Sequence, residues 1–195
     1  MIWTDLSIDV ILGLYEKNNY TVIDKILFAN VLGVRNNTGY TNTFDDDVCI
    51  LRKNNANVWE ILICAATTDP GKYYMEHPEN VKGTAILKAG QHINSHKVGL
   101  HKGQYRALVQ NAPLPVWRDN NKNDTYDYTV TDVGNFGINI HHASPTHTST
   151  SVDNWSAGCT VVASPDEFKE FMVEIDEHVA QGYPNIFTYT LFQWE

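Results

Sequence analysis

At 195 residues, with 43% hydrophobic and 19% charged side chains, the chain can bury a core of its own, and its composition excludes a disordered or fibrous protein. Fourteen Lys and Arg against 23 Asp and Glu leave a formal charge of −9 with no basic cluster, which argues against nucleic-acid binding because phosphate neutralisation needs gathered cations. Three cysteines, Cys49, Cys64 and Cys159, are too few and too odd for a disulfide framework and imply free thiols.

The N-terminus carries an apolar stretch without a basic start or a small-residue cleavage site. Neither a signal peptide nor a membrane insertion is therefore expected, and synthesis in the cytoplasm follows. Leu6, Val10, Ile11 and Leu14 recur at helical spacing behind Asp5, a candidate N-cap. Residues 6–17 are read as an amphipathic helix that packs on the main body and ends at Asn18-Asn19. Residues 1–25 then form an N-terminal helical extension, and residues 26–195 a second, larger domain.

From Ile26 the chain turns to β-rich runs bounded by Asn, Gly, Asp and Thr. The runs VCILRK and VWEILICAATT flank Asn54-Asn55-Ala56-Asn57 and read as a hairpin, with Cys49 and Cys64 as buried small hydrophobes. Asp45-Asp46-Asp47 reads as a solvated strand entrance. Thr67-Thr68-Asp69-Pro70-Gly71 is a turn, since Asp bonds forward to the backbone, Pro fixes φ and Gly tolerates a positive φ.

Residues 81–118 hold further short strands. His101, on the Gly-flanked turn Gly99-Leu100-His101-Lys102-Gly103, is a candidate substrate contact. His92 and His96 are four apart, but Gly90 and Ser95 argue against a helix and no third ligand is evident, so no metal and no cofactor is expected. Asp119, Asn121, Asn123 and Asp127 match four positions of a calcium loop. Asp124 replaces its glycine and Val130 its bidentate Glu, so the stretch reads either as a calcium site or as a polar hairpin turn.

The chemistry concentrates between Phe136 and Met172. If residues 136–142 form a strand, Phe136, Ile138, Ile140 and His142 face the core, and Gly137, Asn139 and His141 face the open side. Ser156-Ala157-Gly158 delivers Cys159 into a second β run. A thiol with an imidazole on the neighbouring strand end is a candidate acyl-transfer pair, with His141 as base and Cys159 as nucleophile. Gly158 and Ser156 would shape an oxyanion site, Gly158 leaving the flanking N–H groups free. Asn139 and His142 are further candidate substrate contacts. Ser164-Pro165-Asp166-Glu167 opens a helix with Ser at the N-cap and Glu closing a capping box, and residues 185–192 read as the last strand.

The spacing His141, fourteen residues, Ser156-Ala157-Gly158-Cys159 resembles the signature of L,D-transpeptidases of the YkuD type, a His followed by Ser/Thr-His-Gly-Cys. GINIHH, WSAGC, TTDPG, GTAILKAGQ, GLHKGQYRALVQ and WRDNN resemble a phage-associated, peptidoglycan-degrading branch of that family, from about Val34 to the C-terminus. The His usual before the glycine is Ala157 here, which leaves His141 as the sole base. Other cysteine enzymes fit less well. Papain-like and NlpC-type chains place Cys before His, and sortase-like chains need an Arg after the Cys, whereas the last Arg here is Arg118.

The resemblance implies a mainly β, α+β fold, a curved mixed sheet or sandwich with a helix after Ser164 and a helix in front, making residues 26–195 a catalytic domain. It also implies an enzyme acting on peptidoglycan stem peptides through a Cys thioester, hydrolytic like an endolysin or L,D-peptidase. The alternatives are a cross-linking L,D-transpeptidase and a catalytically dead virion or host-interaction protein. Action at the cell wall or periplasm, after release or within a virion, implies a phage particle or delivery partner.

Overall fold

The structure is a computed structural model and describes residues 6–36 and 41–194. It is mainly β, as the sequence predicts. In chain order its elements are α1 (Ile8–Lys17), β1 (Asn30–Arg35), β2 (Asp46–Lys53), β3 (Trp59–Thr67), α2 (Lys72–Glu76), β4 (Thr84–Leu87) and β5 (Gly90–His101). There follow β6 (Tyr105–Gln110), β7 (Leu114–Asp119), β8 (Val130–Gly134), β9 (Ile140–His142), β10 (Thr160–Val162), α3 (Pro165–Ala180) and β11 (Phe187–Gln193). No helix among the described residues is long and apolar enough to cross a membrane.

The expected curved sheet curls until its edges meet. The strand order β1-β11-β5-β6-β9-β10-β3-β2 closes into a barrel, and β4-β7-β8 form a separate sheet. Pairing is parallel for β1 with β11 and for β9 with β10, and antiparallel for the other barrel pairs. The predicted hairpin is β2–β3, in register from Asp46↔Ala66 to Lys53↔Trp59, with Asn57 at φ 60 in its turn.

Alternation along the strands divides the core in two. Val31, Val48 and Ile50 join the main core with Leu108, Ile140, Leu191 and the α3 residues Phe171 and Ile175. Their neighbours Leu32, Val34, Cys49 and Leu51 point the other way, into a second cluster covered by α1 through Ile11 and Tyr15. With both faces covered, β1 and β2 read as continuous apolar runs and show no alternation of apolar and polar residues.

Helix α1 is where the spacing predicts it, but its fully buried residues are Ile11 and Tyr15 and its N-cap is Ser7, whose side chain accepts from the Val10 N–H. Asp5 lies outside the described residues.

The acidic trio departs from expectation. Asp46 and Asp47 are 3% and 7% exposed, not solvated. For Asp46 the reason is Arg35, 1% exposed, which meets Asp69 at 3.0 Å and donates to the Thr68 side chain and carbonyl. Asp46 in turn accepts from the Asn36 and Thr68 N–H groups and the Thr68 hydroxyl. A buried guanidinium demands carboxylate partners, and the Thr67–Gly71 turn is folded around it.

In the 119–127 stretch the side-chain oxygens are taken by the backbone of the loop itself. Asp119 accepts from the Asn121 and Asp127 N–H groups, Asn121 from Asn123, and Asn123 from Thr125. The result is a series of side-chain-closed turns linking β7 to β8. Among the described residues no group of three or more His, Cys, Asp or Glu is arranged to hold a metal ion. His92 bonds the Lys88 carbonyl, and His96 sits between the Ser95 hydroxyl and the Ile138 carbonyl.

Candidate active site

The parallel pair β9–β10 sets the site. Its register matches Val161 with His141, so one step before β10 begins, Cys159 falls opposite Asn139. The Thr160 N–H donates to the Asn139 carbonyl at 2.9 Å, and the Asn139 N–H points at the Cys159 sulfur at 3.4 Å. Because side chains alternate along a strand, Cys159 and His141 rise on the same side while Ile140 and Thr160 enter the interior.

The turn before Cys159 is tight. Gly158 has φ 123, and a Cβ there would collide with the Ala85 carbonyl and crowd Ile138, so only glycine fits without strain. The Ser156 hydroxyl accepts from the Gly158 N–H at 3.1 Å and donates to the Cys159 carbonyl at 2.8 Å. The Ser156 carbonyl accepts from Gly71 N–H at 2.9 Å, tying the Thr67–Gly71 turn to the Cys loop. The sequence expects free amides on both sides of Gly158. The Gly158 N–H is instead engaged within the turn, which leaves the Cys159 amide as the candidate oxyanion donor.

His141 is 3% exposed, and its Nδ1 lies 2.8 Å from the His142 carbonyl and 3.2 Å from the Tyr105 hydroxyl. A carbonyl only accepts, so Nδ1 carries the proton in the neutral ring and the lone pair is on Nε2. Nε2 is buried and has no hydrogen-bond partner. This is the posture of a base held by a third group, here a backbone carbonyl. Burial, with neighbouring His101, pulls its pKa down to about 3, so the ring is neutral.

Cys159 is partly exposed. Burial of the sulfur pushes its thiol up to about 11, against the lowering effect of the Asn139 N–H. The thiol donates to the Gly137 carbonyl at 3.3 Å, and no hydrogen bond joins it to His141. Thiol and imidazole are therefore both neutral at rest. Desolvation opposes either charge alone, but a thiolate and an imidazolium formed together stabilise each other. Proton transfer requires sulfur and Nε2 to close into contact, as catalytic pairs commonly do when substrate binds.

The structure gathers the other sequence-predicted residues around this pair with different tasks. His101, 6% exposed, stacks on His141 with ring centroids 3.9 Å apart, and its Nδ1 is 3.0 Å from the Asn139 amide nitrogen. The Asn139 side-chain oxygen accepts from the Gln110 N–H. Both residues thus orient His141 and the loop. His142 turns away, stacked on Tyr105 at 4.2 Å and edge-on to Phe168 of α3 at 5.3 Å.

Sequence reasoning missed Tyr105, Tyr74, Trp155 and Lys102. With His101, Gln104, His141 and Asn154 these line a cavity of about 260 Å³ beside the base. Tyr105 was within reach, because it faces His101 across the Lys102-Gly103-Gln104 turn of β5–β6. Tyr74 comes from α2, a single turn without a periodic signature.

Compared with family models, curated proteins and solved structures, the chain matches none. The resemblance therefore rests on the motif residues alone.

Proposed function

We propose that the protein is a cysteine-dependent acyl-transfer enzyme acting on peptidoglycan stem peptides, and that it hydrolyses them. The observation that carries this reading is His141. A buried imidazole with Nδ1 fixed on a carbonyl and Nε2 unpartnered lines a cavity beside the strand end that bears Cys159.

In this reading Nε2 takes the thiol proton and the thiolate adds to a stem amide carbonyl. The Cys159 amide stabilises the oxyanion. His141 returns the proton to the departing amine as the C–N bond breaks, leaving a thioester that water, deprotonated by the same ring, resolves to a carboxylate. Hydrolysis over exchange follows from the likeness to peptidoglycan-degrading phage proteins. Action at the cell wall and delivery by a particle or partner belong to the same proposal.

A second reading has its own support. The neutral thiol bonded to Gly137, with no hydrogen bond to His141, suits a chain that keeps the architecture as a virion or host-interaction protein. Incubating purified muropeptides with wild type and Cys159→Ala, with and without a free D-amino acid, separates the readings by product mass. Hydrolysis by wild type alone is expected. Incorporation of the amino acid would replace hydrolysis by transpeptidation, and stems left intact by wild type would favour the second reading.

A further inference from the structure

Two walls of the cavity beside His141 come from outside the barrel strands: Tyr74 from α2, and Asn154 and Trp155 from the loop before Cys159. Both segments are held by one residue, Asn42, which does not line the cavity itself. The Asn42 carbonyl accepts from the Val152 N–H at 3.2 Å. Its side-chain oxygen accepts from the Asp153 and Lys72 N–H groups, and its Nδ2 donates to Asp153 Oδ1 at 2.8 Å. Lys72 is two residues before Tyr74, and Asp153 two before Trp155.

This three-way junction suits an asparagine. The cap position of α2 is Gly71, which has no side chain to accept from the first N–H of the helix, and Asn42 supplies that acceptor from another segment. The same amide donates to a carboxylate, which an aspartate in its place could not do. Asn42 also sits at φ 67, in the left-handed region that Asn and Asp tolerate best. Asp153 Oδ2 accepts from the Ser151 hydroxyl at 2.6 Å, and the Ser151 and Asn42 bonds hold its carboxyl below the ordinary range. The Val152 carbonyl accepts from the Trp155 N–H at 2.8 Å, closing the loop on itself. A side-chain carbon on Gly71 would collide with the Asp153 carbonyl, so α2 and the loop touch where Asn42 joins them.

We propose that Asn42 is a positioning residue for the substrate: with Asp153 it fixes the separation of Tyr74 and Trp155 across the cavity beside His141. The assignment rests on the peptide-stem reading above and adds to it a residue remote from the reacting atoms. Among the described residues the hydrogen bonds of Asn42 go to Val152, Asp153 and Lys72, and none goes to Cys159 or His141. Its loss therefore belongs in KM and not in kcat.

The test is an exchange. In Asn42→Asp two carboxylates face each other where an amide met one, and the bond from Nδ2 is lost. In Asn42→Asp/Asp153→Asn the pair re-forms with donor and acceptor traded: the new amide at position 153 donates to the new carboxylate at position 42 and still accepts from Ser151. On a defined stem peptide Asn42→Asp should raise KM ~10-fold with kcat within about 2-fold of wild type, and the exchange should restore KM. A KM unmoved by Asn42→Asp, or raised and not restored by the exchange, overturns the positioning role and leaves the enzyme reading intact. If wild type cleaves no stem peptide, the enzyme reading fails and acrylamide quenching of Trp155 decides, taken as the difference between each chain and its Trp155→Phe counterpart. A quenching constant raised in Asn42→Asp and restored by the exchange upholds the role of Asn42 in setting the cavity wall. Equal constants, or a rise that the exchange does not reverse, overturn it.

Discussion

His96 shows how one imidazole differs from another. It is fully buried, accepts from the Ser95 hydroxyl on Nδ1, donates from Nε2 to the Ile138 carbonyl and lies edge-on to Tyr189. Every polar atom of the neutral ring is satisfied, so it serves the fold. His141, two strands further round the barrel, differs in its unpartnered Nε2. Strand alternation in the sequence puts His141 on the open face and His142 on the core face, but His141 is buried and His142 the more accessible, because His101 and Tyr105 cover the His141 ring. It could not reveal the stacking of His101 on His141, which depends on the closure of β5 against β6 and β9.

Burial pulls the His96 pKa down to about 3. The unfolded chain then binds a proton near pH 6.5 that the folded chain refuses, so this contribution is complete above pH 6.5 and is lost as pH falls toward 3. Between pH 6.5 and 5 the loss amounts to about 2 kcal/mol. Urea unfolding of wild type and His96→Gln at both pH values should show the variant losing less stability on acidification by about that amount. Equal losses would mean that His96 is protonated in the folded protein.

At the level of elements, local signals were read best where one helix turn or one strand turn is self-sufficient. Helix α3 begins at Pro165 behind Ser164, whose side chain accepts from the Glu167 N–H, and buries Phe168, Phe171, Met172 and Ile175, whereas Val179, which the same apolar spacing assigns to the buried stripe, is 37% exposed in the last turn. The expected capping box is only half formed. The Glu167 carboxylate accepts from the Ala65 N–H at 3.0 Å and so braces β3, not its own N-cap. Replacing Ser164 by Ala should cost about 1 kcal/mol and lower Tm by ~2–4 °C at this chain length, measured by thermal unfolding. An unchanged Tm would show that packing alone fixes the helix start.

What the elements hid was non-local. The burial of Asp46 depends on Arg35 and Thr68, eleven and 22 positions away in sequence and brought together by the pairing of β2 with β1 and β3. Single-sequence reading treats three adjacent aspartates as a wet edge because it cannot see an arginine on the paired strand.

For the whole molecule, mainly β architecture was legible in the density of short β runs, while closure was not. Parallel pairing of β1 with β11 joins the two ends of the chain and seals the barrel, and no local pattern announces it. Closure also accounts for the position of the site. It brings β9 and β10 together as neighbours between β6 and β3, with His141 and Cys159 at one end of the pair and a cavity on either side. Segments that lie far apart in sequence, around Tyr74, His101 and Trp155, meet only there.

The most direct measurement is intact-protein mass spectrometry of acid-quenched mixtures of the protein with a defined stem peptide. Wild type should gain the mass of the acyl fragment on Cys159, His141→Ala should accumulate it ~100-fold or more slowly, and Cys159→Ala should gain nothing. Cleavage that continues undiminished in Cys159→Ala, or a wild-type protein that neither gains mass nor alters the peptide, would contradict the account.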